Sequence, residues 1–98
     1  MAEPLYEKLI YENTDKGYQY RLVVSEFRDV EYLHLRKYFQ TYEGDFVPSK
    51  EGATIPVTIQ NVFALLDALV DLTASEESID VITRYFSDKI SSLKDVAK

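Results

Sequence analysis

Hydrophobic and polar positions alternate through the first half of the chain and then recur every three to four residues. That change of period divides the elements the sequence predicts. Residues 5–12, Leu5 to Glu12, read as a short strand closed by the turn-forming run Asn13-Thr14-Asp15-Lys16-Gly17. Residues 18–27 are rich in Tyr and Val, with Tyr20, Leu22 and Val24 on one face and Arg21, Val23 and Phe27 on the other. A tight turn at Arg28-Asp29 leads into a strand over 30–40, where Leu33 and Leu35 point one way and Tyr32, His34, Arg36 and Tyr38 the other. One apolar face and one polar-aromatic face describe an antiparallel sheet whose second face is not fully buried. Turns at Glu43-Gly44-Asp45 and at Pro48-Ser49-Lys50-Glu51-Gly52 delimit two further short strands, 45–47 and 53–57.

Thr58 is a suitable N-cap for a helix over 58–72, in which Val62, Leu65, Leu66, Leu69 and Leu72 form a stripe widened by Phe63 and Val70. Thr73-Ala74-Ser75-Glu76 matches a capping box and opens a second helix over 75–97. Ile79, Ile82, Phe86, Ile90, Leu93 and Ala97 mark one face of that helix, and Glu77, Asp80, Asp88, Lys89 and Asp95 the other. Strands followed by helices place the chain in the α+β class, as a single domain over 1–98 with four to five antiparallel strands and two C-terminal helices.

Size and composition narrow the function. A chain of 98 residues buries a modest share of its surface, and a second copy extending the core is a natural source of stability. It has no cysteine, which excludes disulfides and thiolate zinc sites. No secretory signal is evident, and the most apolar run, Val62 to Leu72, is too short to span a bilayer and holds Asp67 and Asp71. The expectation is a soluble intracellular protein with no membrane role, cytoplasmic or nucleoid-associated in a bacterial or viral setting and nuclear in a eukaryotic one. The net charge of −6 argues against nucleic acid as a partner, yet its distribution is uneven. Residues 16–50 carry six basic and five acidic side chains, whereas both flanking segments are acidic. Steering follows the local field, so a basic face is permitted.

Catalysis has little support. The sole histidine, His34, has no oriented partner visible in the sequence, and no nucleophile elbow, zinc-protease or phosphate-loop motif is present. The expectation is a non-enzyme without metal or cofactor. The middle third offers another chemistry. Phe27-Arg28, Arg36-Lys37-Tyr38-Phe39 and Tyr42 interleave rings and cations, the combination that stacks bases and follows phosphates in single-strand binding. Composition alone favours the plainer reading, in which the rings fill a core and the cations are a solvated rim.

From Tyr20 to Gly52 the chain resembles the DNA-binding domain of the positive-cofactor-four family of transcriptional coactivators and their bacterial and viral relatives. The resemblance rests on Glu26-Phe27, the turn Arg28-Asp29, Leu35-Arg36-Lys37-Tyr38-Phe39, Glu43-Gly44-Asp45 and Pro48-x-Lys50-x-Gly52 in unbroken order. It implies a curved four-stranded sheet backed by a helix, paired into a homodimer that carries single-stranded DNA over its ridges. By this resemblance Phe27 and Phe39 are stacking platforms, Arg28 and Arg36 contact phosphate or base, and Lys50 is the loop cation. Arg21 and Ser25 share the alternate face of Phe27 and are further candidates. The chain departs from the family pattern in having Phe39 for the usual Trp, and Val30, Val47 and Glu51 where relatives place Lys. Weaker phosphate neutralisation follows.

Two functions of different class result. The first is non-sequence-specific binding of single-stranded DNA, or RNA, in transcription, replication or recombination. The alternative is an acidic protein-interaction module on the same fold without a nucleic-acid role, docking a partner through the stripe of the last helix. Packing on the sheet or across a dimer is the plainer account of that stripe.

Overall fold

The structure, a computed structural model, describes residues 4–73 and 76–97. The alternating half of the chain forms four strands, β1 (Tyr6–Asn13), β2 (Tyr18–Phe27), β3 (Val30–Gln40) and β4 (Phe46–Pro56), and the rest forms two helices, α1 (Ile59–Asp71) and α2 (Glu76–Ala97). The strands lie in chain order, each antiparallel to the next, as an open four-stranded meander. The fold is therefore α+β, as the change of period implies.

Each connection has a local chemical cause. The Asn13 side chain accepts the Lys16 amide at 3.0 Å, and its carbonyl accepts the Gly17 amide at 2.9 Å, which reverses the chain into β2. Between β2 and β3 only Arg28 and Asp29 intervene, both at positive φ (53° and 65°). Positive φ at both central residues is the geometry whose twist matches paired strands. It fixes the β2–β3 register without slip from Phe27 opposite Val30 to Tyr18 opposite Phe39. Thr41 holds the β3–β4 turn, its amide donating to the Asp45 carbonyl at 2.7 Å and its hydroxyl accepting the Asp45 amide at 3.2 Å. Thr58 caps α1, accepting the Asn61 amide on its hydroxyl at 3.1 Å.

The structure corrects one element outright. The turn expected at Pro48–Gly52 does not separate two strands; β4 runs through it from Phe46 to Pro56. A bulge absorbs the turn-forming residues: Tyr38 pairs with Pro48 and Arg36 with Gly52, leaving Lys37 alone opposite Ser49, Lys50 and Glu51. The Ser49 hydroxyl donates to the Lys37 carbonyl at 2.7 Å and accepts the Glu51 amide at 3.1 Å, replacing the ladder bonds the bulge breaks. Gly52 is required where pairing resumes, because a Cβ there would sit 2.6 Å from the Leu35 carbonyl oxygen. The first strand begins and ends one residue later than expected, at Tyr6 and Asn13. The capping box falls partly on residues 74–75, which lie outside the described residues.

Packing separates two compact units, Met1–Val62 and Phe63–Lys98. In the first, the strand register assigns faces, since directly opposed residues share one. Tyr20, Leu22, Val24, Leu33, Leu35, Phe39 and Ile55 fall on the apolar face, and Arg21, Val23, Ser25, Phe27, His34, Arg36 and Tyr38 on the other. Among the described residues the buried side chains are Gln19, Val23 and Tyr38, all on the polar-aromatic face that the pattern marks as the less buried. Long polar side chains on that face cover one another through cross-strand contacts, whereas Leu35 and Phe39 on the apolar face remain exposed. The apolar stripe of α1, within which the two units divide, is exposed along its length, and in α2 Tyr85 and Phe86 meet edge to face at 5.2 Å.

Candidate nucleic-acid interface

The polar-aromatic face is built by alternate residues of all four strands. At its centre the Arg21 guanidinium lies 4.3 Å from the Tyr38 ring centroid, 3.6 Å from a Glu7 carboxylate oxygen, and donates to Gln19 Oε1 at 2.9 Å. Gln19 donates in turn to Glu12, and the Tyr38 hydroxyl to Glu7 at 3.5 Å. Burial pushes the Tyr38 phenol above its usual pKa, and the neighbouring Glu7 carboxylate pushes it further. Arg21 is therefore a positioning residue of this face, its charge already matched by Glu7.

Beside this cluster the Ser25 hydroxyl is 2.8 Å from His34 Nε2, and the Thr54 hydroxyl 2.8 Å from His34 Nδ1. Burial lowers the His34 pKa from 6.5, with the Arg36 charge a second cause. Val23, Ser25, Phe27, His34, Arg36 and Tyr38 wall a hollow of 570 Å³, which Glu7 and Glu26 also line. That volume is within the range of small-ligand clefts. Phe27 is 61% exposed, and the Arg28 guanidinium lies 5.0 Å over its ring. The ion pairs among the described residues are Arg21–Glu7 and Lys37–Glu51, and neither engages Arg28, Arg36 or Lys50. No group of three or more His, Asp or Glu able to hold a metal ion occurs among the described residues.

The structure brings together Arg21, Ser25, Phe27 and Arg36 on one face, with Arg28 at the hairpin end beside Phe27. Two of the expected residues stand elsewhere. Phe39 pairs with Tyr18 and Val47, which sets it on the opposite, apolar face, and Lys50 stands exposed on the β4 bulge. Beside Phe39 on that face, the Lys37 ammonium lies 4.5 Å over the Tyr18 ring. Glu7, His34 and Thr54 are members of the polar face that sequence reasoning did not assign to it as site residues. The two-residue hairpin sets His34 beside Ser25 and was legible; the bulge that brings Thr54 opposite His34 was not.

An open antiparallel sheet with a ring-and-cation face, followed by two helices, defines the class of small sheet-platform modules. Within that class, the family model of Transcriptional Coactivator p15 (PC4) matches residues 14–63, half of the chain, and the chain belongs to that family. The fold is similar to that of a bacteriophage T5 homologue of the eukaryotic transcription coactivator PC4, described as implicated in recombination-dependent DNA replication. That match has a TM-score of 0.67 and 24% identity, and covers 85% of this chain and 92% of the phage chain. It is also similar to BPSL1147, a PC4 homologue from Burkholderia pseudomallei, with a TM-score of 0.54 and 16% identity, covering 74% and 90% of the two chains. No curated protein matches the sequence. No helix of the described residues is long and apolar enough to cross a membrane.

Proposed function

We propose that this protein binds single-stranded DNA without catalysis, laying the strand over the polar-aromatic face of the sheet as a homodimer. The observation that carries the reading is the pair Arg21 and Arg36, directly opposite each other on adjacent strands. Like charges so placed are destabilising. Glu7 pairs with Arg21, which also lies over the Tyr38 ring, while Arg36 remains without an ion pair among the described residues, beside a hollow and an exposed ring. A phosphate at Arg36 with a base against Phe27 relieves that repulsion and uses the ring. Arg28 and Lys50 continue the cationic path. Phe39 serves as a platform only for a strand that passes around the sheet edge.

Burial supports the homodimer. Among the described residues only Val23 and Tyr38 are buried hydrophobic side chains, too few for a lone domain of this length. The open apolar faces of the sheet and of α1 suit a second copy. The same faces, with the acidic α2, support the second reading, in which a protein partner docks on the helices; the family membership and the polar face favour DNA.

The test is fluorescence anisotropy of a labelled oligo-dT of about 20–30 nucleotides at several salt concentrations, with duplex as control. The reading expects saturable binding that favours the single strand. With Arg28, Arg36 and Lys50 as the phosphate contacts, the logarithm of affinity falls against that of salt with a slope of about −2 per chain. Arg36→Ala lowers the slope, and Phe27→Ala weakens binding by about 1–3 kcal/mol. Absence of binding at low salt defeats the proposal and turns attention to protein partners.

A further inference from the structure

The row Ser25–His34–Thr54 has a chemistry that stacking and phosphate contacts do not use. It crosses β2, β3 and β4, with both hydroxyls 2.8 Å from opposite nitrogens of one imidazole. Ser25 and His34 line the hollow beside Phe27 and Arg36, and Thr54 stands exposed opposite His34 in the register. A neutral imidazole has one N–H donor and one acceptor nitrogen. The hydroxyl that accepts the ring N–H keeps its own hydrogen for a ligand. The hydroxyl that donates to the ring keeps only lone pairs. In either tautomer the row therefore offers one donor and one acceptor, on opposite sides of the ring.

The charged groups around the row preserve that state. Arg36 on β3 disfavours a second positive charge on the ring, as does burial. Arg21 on β2 has its charge matched by Glu7 on β1, Glu26 lines the same hollow, and β4 presents the uncharged Thr54. Burial and Arg36 thus favour the neutral imidazole, the form in which the donor–acceptor pair exists.

We propose that this row is a base-reading subsite that selects cytosine over thymine in a bound single strand; the inference rests on the single-strand-binding reading above. Across its pairing edge cytosine has an exocyclic amino donor at one end and a carbonyl acceptor at the other. Thymine has carbonyls at both ends. Cytosine satisfies both hydroxyls of the row, whereas thymine sets a carbonyl against the one that has only lone pairs. Phe27 holds the base from the side, and Arg36 takes the adjoining phosphate.

The experiment is competition anisotropy on the full chain with oligo-dC and oligo-dT of equal length at about pH 7.5, above the range in which a histidine protonates. The wild type binds oligo-dC roughly fivefold more tightly, the scale of one hydrogen bond made or broken at a base edge. Ser25→Ala combined with Thr54→Val brings the ratio to about one. If the double variant fails to bind either strand, Thr54→Val alone, at an exposed position, must lower the ratio. Equal binding of both strands by the wild type, or an unchanged ratio in the variants, overturns the subsite and leaves single-strand binding standing. Binding of neither strand by the wild type overturns the single-strand reading itself.

Discussion

Replacing Asp29 separates backbone strain from charge at the tip of the β2–β3 hairpin. Arg28 and Asp29 both have positive φ, 53° and 65°, where a Cβ crowds the following carbonyl. The left-handed conformation costs an L-residue roughly 1–2 kcal/mol, and Asp sits at the low end because its short side chain can bond locally. Glycine removes that strain but adds about 0.5–1 kcal/mol of unfolded-chain entropy. Asp29→Gly is therefore expected to stabilise by about 0.5 kcal/mol. Asp29→Ala keeps the strain, loses the local bonding, and destabilises by about 1 kcal/mol. Urea unfolding at fixed protein concentration measures the gap as a shift of midpoint at constant m-value. In a thermal scan, about 1 kcal/mol appears as roughly 4–8 °C for a chain of this size. Both variants also remove a carboxylate next to Arg28, so both bind oligo-dT more tightly at low salt despite opposite stabilities. Equal stability of the Gly and Ala variants would refute the strained hairpin and, with it, the register that sets His34 beside Ser25.

Three further outcomes follow from named contacts. Glu7→Gln releases Arg21 and costs no more than about 1 kcal/mol of stability, because the pair is partly exposed. Oligo-dT affinity rises severalfold at low salt, an increase that salt titration should erase; an unchanged affinity would show that Arg21 is not the charge Glu7 masks. Burial and Arg36 lower the His34 pKa from 6.5, so the unfolded chain binds the proton more tightly than the folded one. His34 therefore contributes stability above about pH 6.5 that is lost as pH falls through its folded value, and His34→Gln should flatten the loss seen by denaturant titration between about pH 7.5 and pH 5. Gly52→Ala drives a Cβ to 2.6 Å from the Leu35 oxygen and 3.0 Å from the Arg36 Cα. A loss of about 1–3 kcal/mol is expected in urea, and no loss would mean that β4 does not rejoin the sheet at that residue.

The sheet was legible where period and turn chemistry agreed. Arg28-Asp29 leaves no room for any loop but a two-residue hairpin, so the strands on either side, 18–27 and 30–40, have the expected bounds. Pro48-Ser49-Lys50-Glu51-Gly52 misled because its residues suit a turn by local propensity. Tertiary pairing decided otherwise: Ser49 bonds to Lys37 across the bulge and keeps the chain in the sheet. The burial pattern was illegible for a related reason. Alternation identifies which residues share a face, but the coverage of the polar face comes from side-chain contacts such as Arg21 over Tyr38, which depend on register and not on hydropathy. Phe39 shows the limit of motif spacing. Its position in the family pattern is met, yet strand parity sets it on the face away from Phe27 and Arg36.

The charge balance decides what kind of interaction this face can support. The chain has a net charge of −6, Glu7 occupies Arg21, and Lys37 lies on the opposite face, so on the proposed reading few cations meet a bound strand. Counterion release scales with the number of phosphates neutralised, and the three proposed contacts per chain would supply a modest driving force. The proposed reading then needs a larger share of affinity from bases: stacking on Phe27 and hydrogen bonds within the hollow. Both terms survive salt, and the hydrogen bonds distinguish one base from another, which phosphate contacts do not. The internal pairing of Arg21 thus trades phosphate attraction for an ordered floor, because the same guanidinium that Glu7 neutralises also holds Tyr38 and Gln19 in their buried places. On a more basic sheet with free arginines, the polar row at His34 would add little to the total; on this one, by the proposed reading, it is among the few contacts able to set preference.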